Sequence, residues 1–182
     1  MSFQNLNKFT LPRKFRGRSA VTVQLWWVVQ ASLFSWSPQF TYTWRNFLLR
    51  CFGAKIGKGV IIRPTVKVTY PWKLTVGDFS WVGDNAELYT LGEIEIGSNV
   101  VISQKSYLCA ATHDYTKDTF DMIDKKITIE DEVWLAADVY IAPGITVKKG
   151  ALVGARSSVF NDLPAGMICV GSPAKPVKLR CR

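Results

Sequence analysis

Residues 129–159, IEDEVWLAADVYIAPGITVKKGALVGARSSV, place an aliphatic residue at every sixth position. The series consists of Ile129, Leu135, Ile141, Val147, Val153 and Val159. Four places after most of these residues comes a small or aliphatic one, as at Val133, Val139, Ala151 and Ser157. A doubly wound sheet or a β-sandwich would not place aliphatic residues at this period, so the segment indicates a repeat architecture.

The period of six continues upstream inside a longer repeat. Ile-Gly or Val-Gly pairs begin at Ile56, Val76 and Ile96, 20 residues apart, and an aliphatic residue returns every six places within each repeat. Three such positions describe a triangular coil of three short strands, and stacked coils bury a continuous core. The two residues beyond 18 predict a bulge at a corner, and the Gly, Asn or Asp after the aliphatic position is expected to supply the corner backbone. The sequence therefore predicts a mainly β chain wound as a parallel β-helix.

The repeat also predicts the domain organisation. We expect an N-terminal helical segment over 1–54, the β-helix over 55–170 with an inserted loop at about 114–128, and a C-terminal tail over 171–182. At 182 residues the chain suits one domain with a small appendage.

The aromatic N-terminal part predicts two helices. Large side chains at three- and four-residue spacing predict a helix with most of them on one face: Val23, Trp26, Trp27, Gln30, Leu33 and Phe34. Ser37 followed by Pro38 predicts the start of a second helix, with the hydroxyl as N-cap, and Gly53 predicts its end. Polar residues and Pro38 interrupt the apolar run 21–44 and no A-x-A site follows it, so a signal peptide is not expected. The run is also too short and too polar for a membrane span.

The chain is basic, with 23 Lys and Arg against 14 Asp and Glu. A charge of +9 favours an anionic partner such as nucleic acid, a membrane surface or a phosphate-rich cofactor, although a merely soluble basic surface is the alternative. No RNA- or DNA-binding motif is present, so we do not expect nucleic acid. Five basic residues precede the aromatic face, which either packs on the rest of the protein or rests partly on an anionic membrane: Lys8, Arg13, Lys14, Arg16 and Arg18.

The four cysteines are scattered and form no Cys-x-x-Cys pair. Neither a disulfide framework nor a thiolate metal site is expected from this pattern, and a reducing cytoplasm fits it best.

The pattern [Ile/Leu/Val]-Gly-x-x-[small]-x, over residues 56–178, resembles the hexapeptide-repeat acyltransferases. The resemblance implies a left-handed winding, acetyl-coenzyme A as co-substrate, no metal, and a homotrimer with active sites between subunits. Segments 24–27 (QLWW), 70–74 (YPWKL) and 103–109 (SQKSYLC) are similar to the colanic acid biosynthesis acetyltransferases, which act in making acetylated exopolysaccharide. That similarity implies a sugar or lipid-linked oligosaccharide acceptor, in the cytoplasm or at the inner face of the membrane.

His113 is the only histidine of the chain, and it comes just before the repeat is interrupted. An insertion in a solenoid must project, so His113 is expected at the base of a protruding loop. An imidazole is suited to take a proton from a sugar hydroxyl near neutral pH. In the family that the chain resembles, the catalytic histidine stands 17 residues after the Ile of an Ile-Gly corner, and Ile96 to His113 is that interval. We therefore expect His113 to be the general base, the alternative being a packed or surface histidine.

Four residues are candidates for binding the coenzyme. By resemblance, Trp134 packs beside the pantetheine arm, whereas a residue that only covers the side of the β-helix would look the same. The small Ala137 and Ala155, with Ala136, would let an extended coenzyme approach the coil backbone. Lys175 ends the motif GSPAK, which matches a family signature whose basic residue reaches the coenzyme phosphates. Arg156 and Lys178 are weaker candidates for the same role.

Acceptor binding is less well marked. Several related sugar acetyltransferases have an acceptor-contacting Asn at the position of Gly83, so their acceptor geometry does not transfer, and Asp84 and Asn85 are the candidate residues here. Serine is not an expected acceptor, because serine acetyltransferases carry a much longer N-terminal domain. A carbonic anhydrase of the same fold would need three imidazoles around zinc, and the chain has one. An acetyltransferase for xenobiotics or other small molecules, and a non-catalytic trimeric scaffold, remain as alternatives.

Overall fold

The computed structural model describes residues 3–12 and 15–181, which form a β-solenoid of about six turns preceded by two short helices. Three parallel sheets form the faces of a prism. Face A contains β1 (Lys55–Ile56), β4 (Leu74–Val76), β7 (Ile94–Ile96), β12 (Ile127–Ile129) and β15 (Thr146–Val147). Face B contains β2 (Ile61–Ile62), β5 (Trp81–Val82), β8 (Val101–Ile102), β13 (Trp134–Leu135), β16 (Leu152–Val153), β18 (Met167–Gly171) and the antiparallel β19 (Ala174–Leu179). Face C contains β3 (Lys67–Val68), β6 (Glu87–Tyr89), β9 (Tyr107–Cys109), β14 (Tyr140–Ile141) and β17 (Ser158–Val159).

The core follows the six-residue period. Ile62, Val82 and Ile102 stack in register on face B with at most 1% of each residue exposed. The polar Ser80, four places after Val76, is also buried, but its Oγ donates to the carbonyl of Gly97 at 2.7 Å and accepts from the amide of Val100 at 3.0 Å. A hydrogen-bonded hydroxyl costs little in such a core. The predicted β-helix with an N-terminal helical segment is confirmed.

The corner glycines have a different cause from the one expected. A Cβ at Gly57 would lie 2.3 Å from Oδ1 and 2.7 Å from the backbone nitrogen of Asp78 in the next coil, so the glycine permits close stacking of the coils. The left-handed backbone conformation occurs two residues later, at Gly59 with φ +62° and at Asn85 and Asn99 with φ 56°. Glycine after the aliphatic residue is therefore required by the coil above it and not by the turn.

The helices differ from expectation at two points. Helix α1 (Ala20–Val29) continues as a π-helical turn (Gln30–Phe34), and it buries Val23, Trp26 and Phe34 but leaves Trp27 and Leu33 about half exposed. The start predicted at Ser37-Pro38 is wrong, because helix α2 spans Tyr42–Cys51. The Ser37 hydroxyl instead donates to the Phe34 carbonyl at 2.6 Å and accepts from Arg45 Nη1 at 2.8 Å.

The helix pair covers the open end of the first coil, where strands have no preceding coil to pair with. Trp26 Nε1 donates to the Val68 carbonyl at 2.7 Å, Arg45 Nε to Ile62 at 2.7 Å and Asn46 Nδ2 to Val60 at 2.8 Å. These side chains satisfy carbonyls that would otherwise form an exposed sheet edge. Among the described residues, no helix is long and apolar enough to cross a membrane.

An N-terminal arm, residues 3–12 and 15–18, runs along the edge where face C turns into face A (the C–A edge). Trp72 Nε1 donates to the Arg16 carbonyl and Lys73 Nζ to that of Phe15, both within 2.9 Å. Further along, the Asn5 amide donates to the Asp118 carbonyl at 2.7 Å. The extra residues of the early coils lie at this same edge, as 69–73 and 90–93. Arg13 and Lys14 of the predicted basic run lie outside the described residues.

Candidate active site

His113 ends strand β10 (Ala111–His113), which pairs antiparallel with β11 (Met122–Asp124). This hairpin replaces the short C–A corner of the other coils, so the backbone of His113 is held by a sheet and not by a free loop. At the tip, the hydroxyl and amide of Thr116 donate to Asp114 and lower the pKa of that carboxyl, with the charge of Lys117 adding to the effect.

The imidazole of His113 has a defined orientation. Its Nδ1 lies 2.8 Å from the carbonyl oxygen of Phe120. Because a carbonyl only accepts, Nδ1 carries the hydrogen in the neutral ring and Nε2 keeps its lone pair. The ring also stacks on Phe120 with centroids 4.2 Å apart and an angle of 8° between the planes, while Phe9 of the N-terminal arm lies 6.0 Å away. A half-buried, oriented imidazole with Nε2 unprotonated is suited to remove a proton.

A cavity of about 300 Å³ opens beside this ring, lined by Leu6, Phe9, His113 and Phe120. Two of its walls come from the N-terminal arm, which an ion pair between Lys8 and Asp118 ties to the loop. Sequence reasoning missed Leu6, Phe9 and Phe120. The only signal was that apolar residues interrupt an otherwise polar and basic arm.

The four candidate coenzyme residues lie on face B or along the edge where face B turns into face C (the B–C edge), at the C-terminal half of the prism. Trp134 projects from β13, 41% exposed, and its Nε1 donates to Ser103 Oγ at 3.1 Å. Ala137 and Ala155 occupy the same corner in successive coils, as the bond from the Arg156 amide to the Ala137 carbonyl shows. Lys175 lies on β19 opposite Val170, with its side chain exposed.

The weaker candidates are also exposed. Arg156 lies at the corner beside Ala155, 3.6 Å from the carboxylate of Asp138. Lys178 lies further along β19, opposite Ile168.

The candidate acceptor residues lie on the B–C edge as well, two coils before Trp134. Both carboxylate oxygens of Asp84 are engaged within the chain, Oδ2 by Arg63 Nε at 2.8 Å and Oδ1 by Thr65 Oγ1 at 2.9 Å. Asn85 occupies the left-handed corner position. A Cβ at Gly83 would lie 2.7 Å from the backbone nitrogen of Gln104, so an asparagine does not fit there without a shift of the next coil. The acceptor role of Asp84 and Asn85 stays a prediction.

One chain does not bring these groups together. His113 lies beyond the C–A edge, whereas Trp134 and the other candidates lie on face B or the B–C edge. Face C separates the two edges. Each face is about six residues wide, and six residues of extended chain span roughly 20 Å, so the edges lie about that far apart. A site that contains both His113 and Trp134 therefore needs a second chain.

Face C itself carries a ladder of aromatic side chains. Tyr89, Tyr107, Tyr140 and Phe160 follow one another with ring centroids 5.7–5.9 Å apart. Burial, followed by hydrogen bonding to Cys109, raises the pKa of Tyr107, so this phenol stays protonated near neutral pH. The Cys109 thiol donates to the Ala111 carbonyl at 3.1 Å. In the described part of the chain, no group of three His, Cys, Asp or Glu side chains could hold a metal ion.

The chain is 58% identical over 177 residues to a protein named as a colanic acid biosynthesis acetyltransferase, WcaF, of Escherichia coli K12, with 97% of each chain covered. A hexapeptide-repeat acetyltransferase of Vibrio cholerae shares the fold, with a TM-score of 0.83 at 23% identity over 94% of this chain and all of that one. A galactoside acetyltransferase solved with coenzyme A gives a TM-score of 0.82 at 21% identity, covering 93% of this chain and 84% of the other. No protein-family model matches the chain.

Proposed function

The chain belongs to the hexapeptide-repeat acetyltransferases, and from that premise we propose that it moves an acetyl group from acetyl-coenzyme A to a hydroxyl of a sugar or exopolysaccharide precursor, with His113 as general base. One observation carries the role of His113: its Nδ1 is hydrogen-bonded to the Phe120 carbonyl, so Nε2 is the ring nitrogen that can accept a proton from the acceptor. The position of the ring beside a cavity large enough for part of a sugar supports the same role.

The proposed reaction balances without a covalent enzyme intermediate. Acetyl-coenzyme A supplies the acetyl group as a thioester. The acceptor hydroxyl gives its proton to His113 Nε2 while its oxygen bonds to the acetyl carbon. The carbon–sulfur bond then breaks, and the proton passes from His113 to the leaving sulfur. Such a base typically contributes about 10²–10⁴-fold in rate.

The B–C edge fits a long, thin, anionic co-substrate. Trp134 offers an exposed ring that its bond to Ser103 holds in place, and Ala137 and Ala155 leave the coil backbone accessible. Lys175 lies beyond them, where its charge would favour phosphate groups. We assign coenzyme binding to these four residues, and acceptor contacts to Asp84 and Asn85.

A homotrimer completes the site. His113 and Trp134 lie on opposite sides of face C, so they serve one reaction only if the C–A edge of one chain meets the B–C edge of its neighbour. The aromatic ladder of face C lies between these edges, which suits it to pack against a second copy. In a closed trimer with three identical contacts, every C–A edge meets the B–C edge of a neighbouring chain, so three complete sites form.

The proposal extends to the acceptor and its location. A relative named for colanic acid biosynthesis supports an exopolysaccharide intermediate, and we propose that it is lipid-linked and met in the cytoplasm at the inner face of the membrane, with the N-terminal segment in peripheral contact. An acceptor screen by mass spectrometry with labelled acetyl-coenzyme A tests this assignment. Labelling of small xenobiotics alone, and of no sugar, would support a different acetyltransferase.

His113→Ala tests the mechanism. We expect turnover to fall about 10²–10⁴-fold, with the melting-temperature rise caused by acetyl-coenzyme A retained. Tyr115→Ala, at an exposed position on the same loop, is the matched control and should keep turnover. Unchanged turnover in His113→Ala would refute the general base, and no thermal response of the unaltered protein to the coenzyme would favour a scaffold.

A further inference from the structure

The outer side of the helix pair is an exposed apolar surface. On α1, the π-helical turn, α2 and the turn before α2, the large side chains that do not pack on the first coil are exposed: Val21, Leu25, Trp27, Val28, Leu33, Trp36, Phe40, Trp44 and Phe47. Trp36 is 87% and Phe40 79% exposed. A cavity of about 380 Å³, with mainly apolar walls, is lined by Leu33, Trp36, Pro38 and Trp44 among other residues. Contiguous apolar surface of this kind usually marks a site of interaction.

The N-terminal part of the sequence, which includes the helix pair and the first coil, is strongly basic. Residues 1–77 contain twelve Lys and Arg and no Asp or Glu, whereas residues 78–182 contain eleven basic and fourteen acidic residues. The basic part is therefore the helix pair, the first coil and the arm. Lys55, Lys58 and Lys67 are exposed on the first coil, and Arg18 Nη2 lies near Gly53 at the end of α2. Within 3–12 and 15–181, none of these four cations forms an ion pair.

We propose that the N-terminal end of the prism, formed by the outer face of the helix pair and the exposed cations of the first coil, docks on an anionic phospholipid bilayer. Aromatic and aliphatic side chains flanked by Lys and Arg are the composition that binds the headgroup region of such a membrane. A protein partner of the same apolar character would not account for a 77-residue stretch without one acidic residue.

The docking surface differs from the one that the basic run alone indicates. Lys8 is engaged with Asp118 on the His113 loop, away from the helix pair. Trp36 and Phe40, in the turn before α2, are the most exposed apolar side chains of the proposed docking surface and would enter the bilayer first.

Docking in this orientation places the catalytic group at a definite height. His113 follows β9 in the third coil, so two coil spacings and one helix layer, about 20 Å in all, separate it from the outer face of the helix pair. The acetylated hydroxyl would then lie well outside the headgroup region, on a glycan that extends from its lipid. This step rests on the proposed function. In the proposed trimer, a threefold axis parallel to the prisms would place three docking surfaces in one plane, so that binding is multivalent.

Co-sedimentation with vesicles tests the proposal. The full-length protein should pellet with vesicles of phosphatidylglycerol and phosphatidylcholine at low salt, and far less with phosphatidylcholine alone or at high salt. Trp36→Ser/Phe40→Ser should weaken this binding by about tenfold or more, because binding scales with buried apolar area. Val177→Ser/Leu179→Ser removes two exposed apolar side chains at the opposite end of the prism and should bind as the unaltered protein does.

Three results would overturn the assignment. The first is failure to pellet with anionic vesicles at low salt, and the second is equal binding by the Trp36→Ser/Phe40→Ser and control variants. The third is loss of the trimer in Trp36→Ser/Phe40→Ser, measured by light scattering, because it would make this face a subunit contact. The His113→Ala variant should still bind vesicles, and Trp36→Ser/Phe40→Ser should still acetylate a soluble acceptor. Failure of docking is thereby distinguishable from failure of the proposed reaction.

Discussion

Mixed trimers should regain activity that neither parent has, if each site combines His113 of one chain with the B–C edge of another. His113→Ala removes the base but leaves the coenzyme edge intact, and Trp134→Ala/Lys175→Glu does the reverse. In trimers assembled at random from equal amounts, half of the chains supply His113 and half supply an intact B–C edge. About one quarter of the sites would then be complete, so the mixture should reach about a quarter of the unaltered activity.

The assay needs co-assembly, either by co-expression or by unfolding and refolding the two variants together. Each variant treated alone should stay near its own background. A mixture of His113→Ala with unaltered protein should retain about half of the activity, which controls for losses during assembly. A mixture of the two variants that gives no more activity than the sum of the parents would show that each site lies within one chain, and it would contradict the roughly 20 Å separation across face C.

Three further predictions concern single positions. Arg45→Ala should lower the free energy of unfolding by about 3–5 kcal/mol, because the fully buried guanidinium donates to the carbonyls of Ile62, Pro38 and Gln39 and to two hydroxyls. Arg50→Ala, at an exposed site, is the control and should lower it by about 1 kcal/mol or less. Equal melting temperatures of the two variants would refute this ranking. Gly83→Asn should lower the free energy of unfolding by about 1–3 kcal/mol, because the added Cβ would meet the Gln104 backbone. Ala155→Asn, at an exposed corner, is the control and should melt near the temperature of the unaltered protein. An unchanged melting temperature of Gly83→Asn would show that the coils can separate there. Phe9→Ala should lower kcat/KM for the acceptor on the order of tenfold, while acetyl-coenzyme A still raises the melting temperature. Phe3→Ala, at an exposed position of the same arm, is the control and should keep kcat/KM. An unaltered kcat/KM in Phe9→Ala would exclude the arm from the site.

The β-helix could be predicted because its cause is local and repeated. Every coil buries the same two positions per side, so one aliphatic residue such as Ile102 carries little information, but the series does. The reason for Gly57 could not be predicted, because the atom that excludes a side chain belongs to Asp78, one coil away.

The errors in the N-terminal segment share that origin. Ser37-Pro38 carries a good local signal for a helix start, but the Ser37 hydroxyl is bound by Arg45 and the helix begins at Tyr42. The arm beside His113 depends on contacts between residues more than 100 positions apart, as between Asn5 and Asp118. No local pattern encodes such a contact, and Phe9 was missed for this reason.

The proposed membrane surface and the candidate coenzyme residues lie on opposite sides of His113 along the β-helix. The basic and apolar end, with the first coil and the helix pair, lies below His113, and the candidate coenzyme residues from Trp134 to Lys175 lie above it, in the later coils. An anionic coenzyme that entered from the bilayer side would have to share the cations of that end with lipid headgroups. Entry along the later coils avoids this competition, since Lys175 and Arg156 lie there. Donor and acceptor would therefore approach His113 from opposite ends and meet at the third coil, which is where the repeat opens into the β10–β11 hairpin.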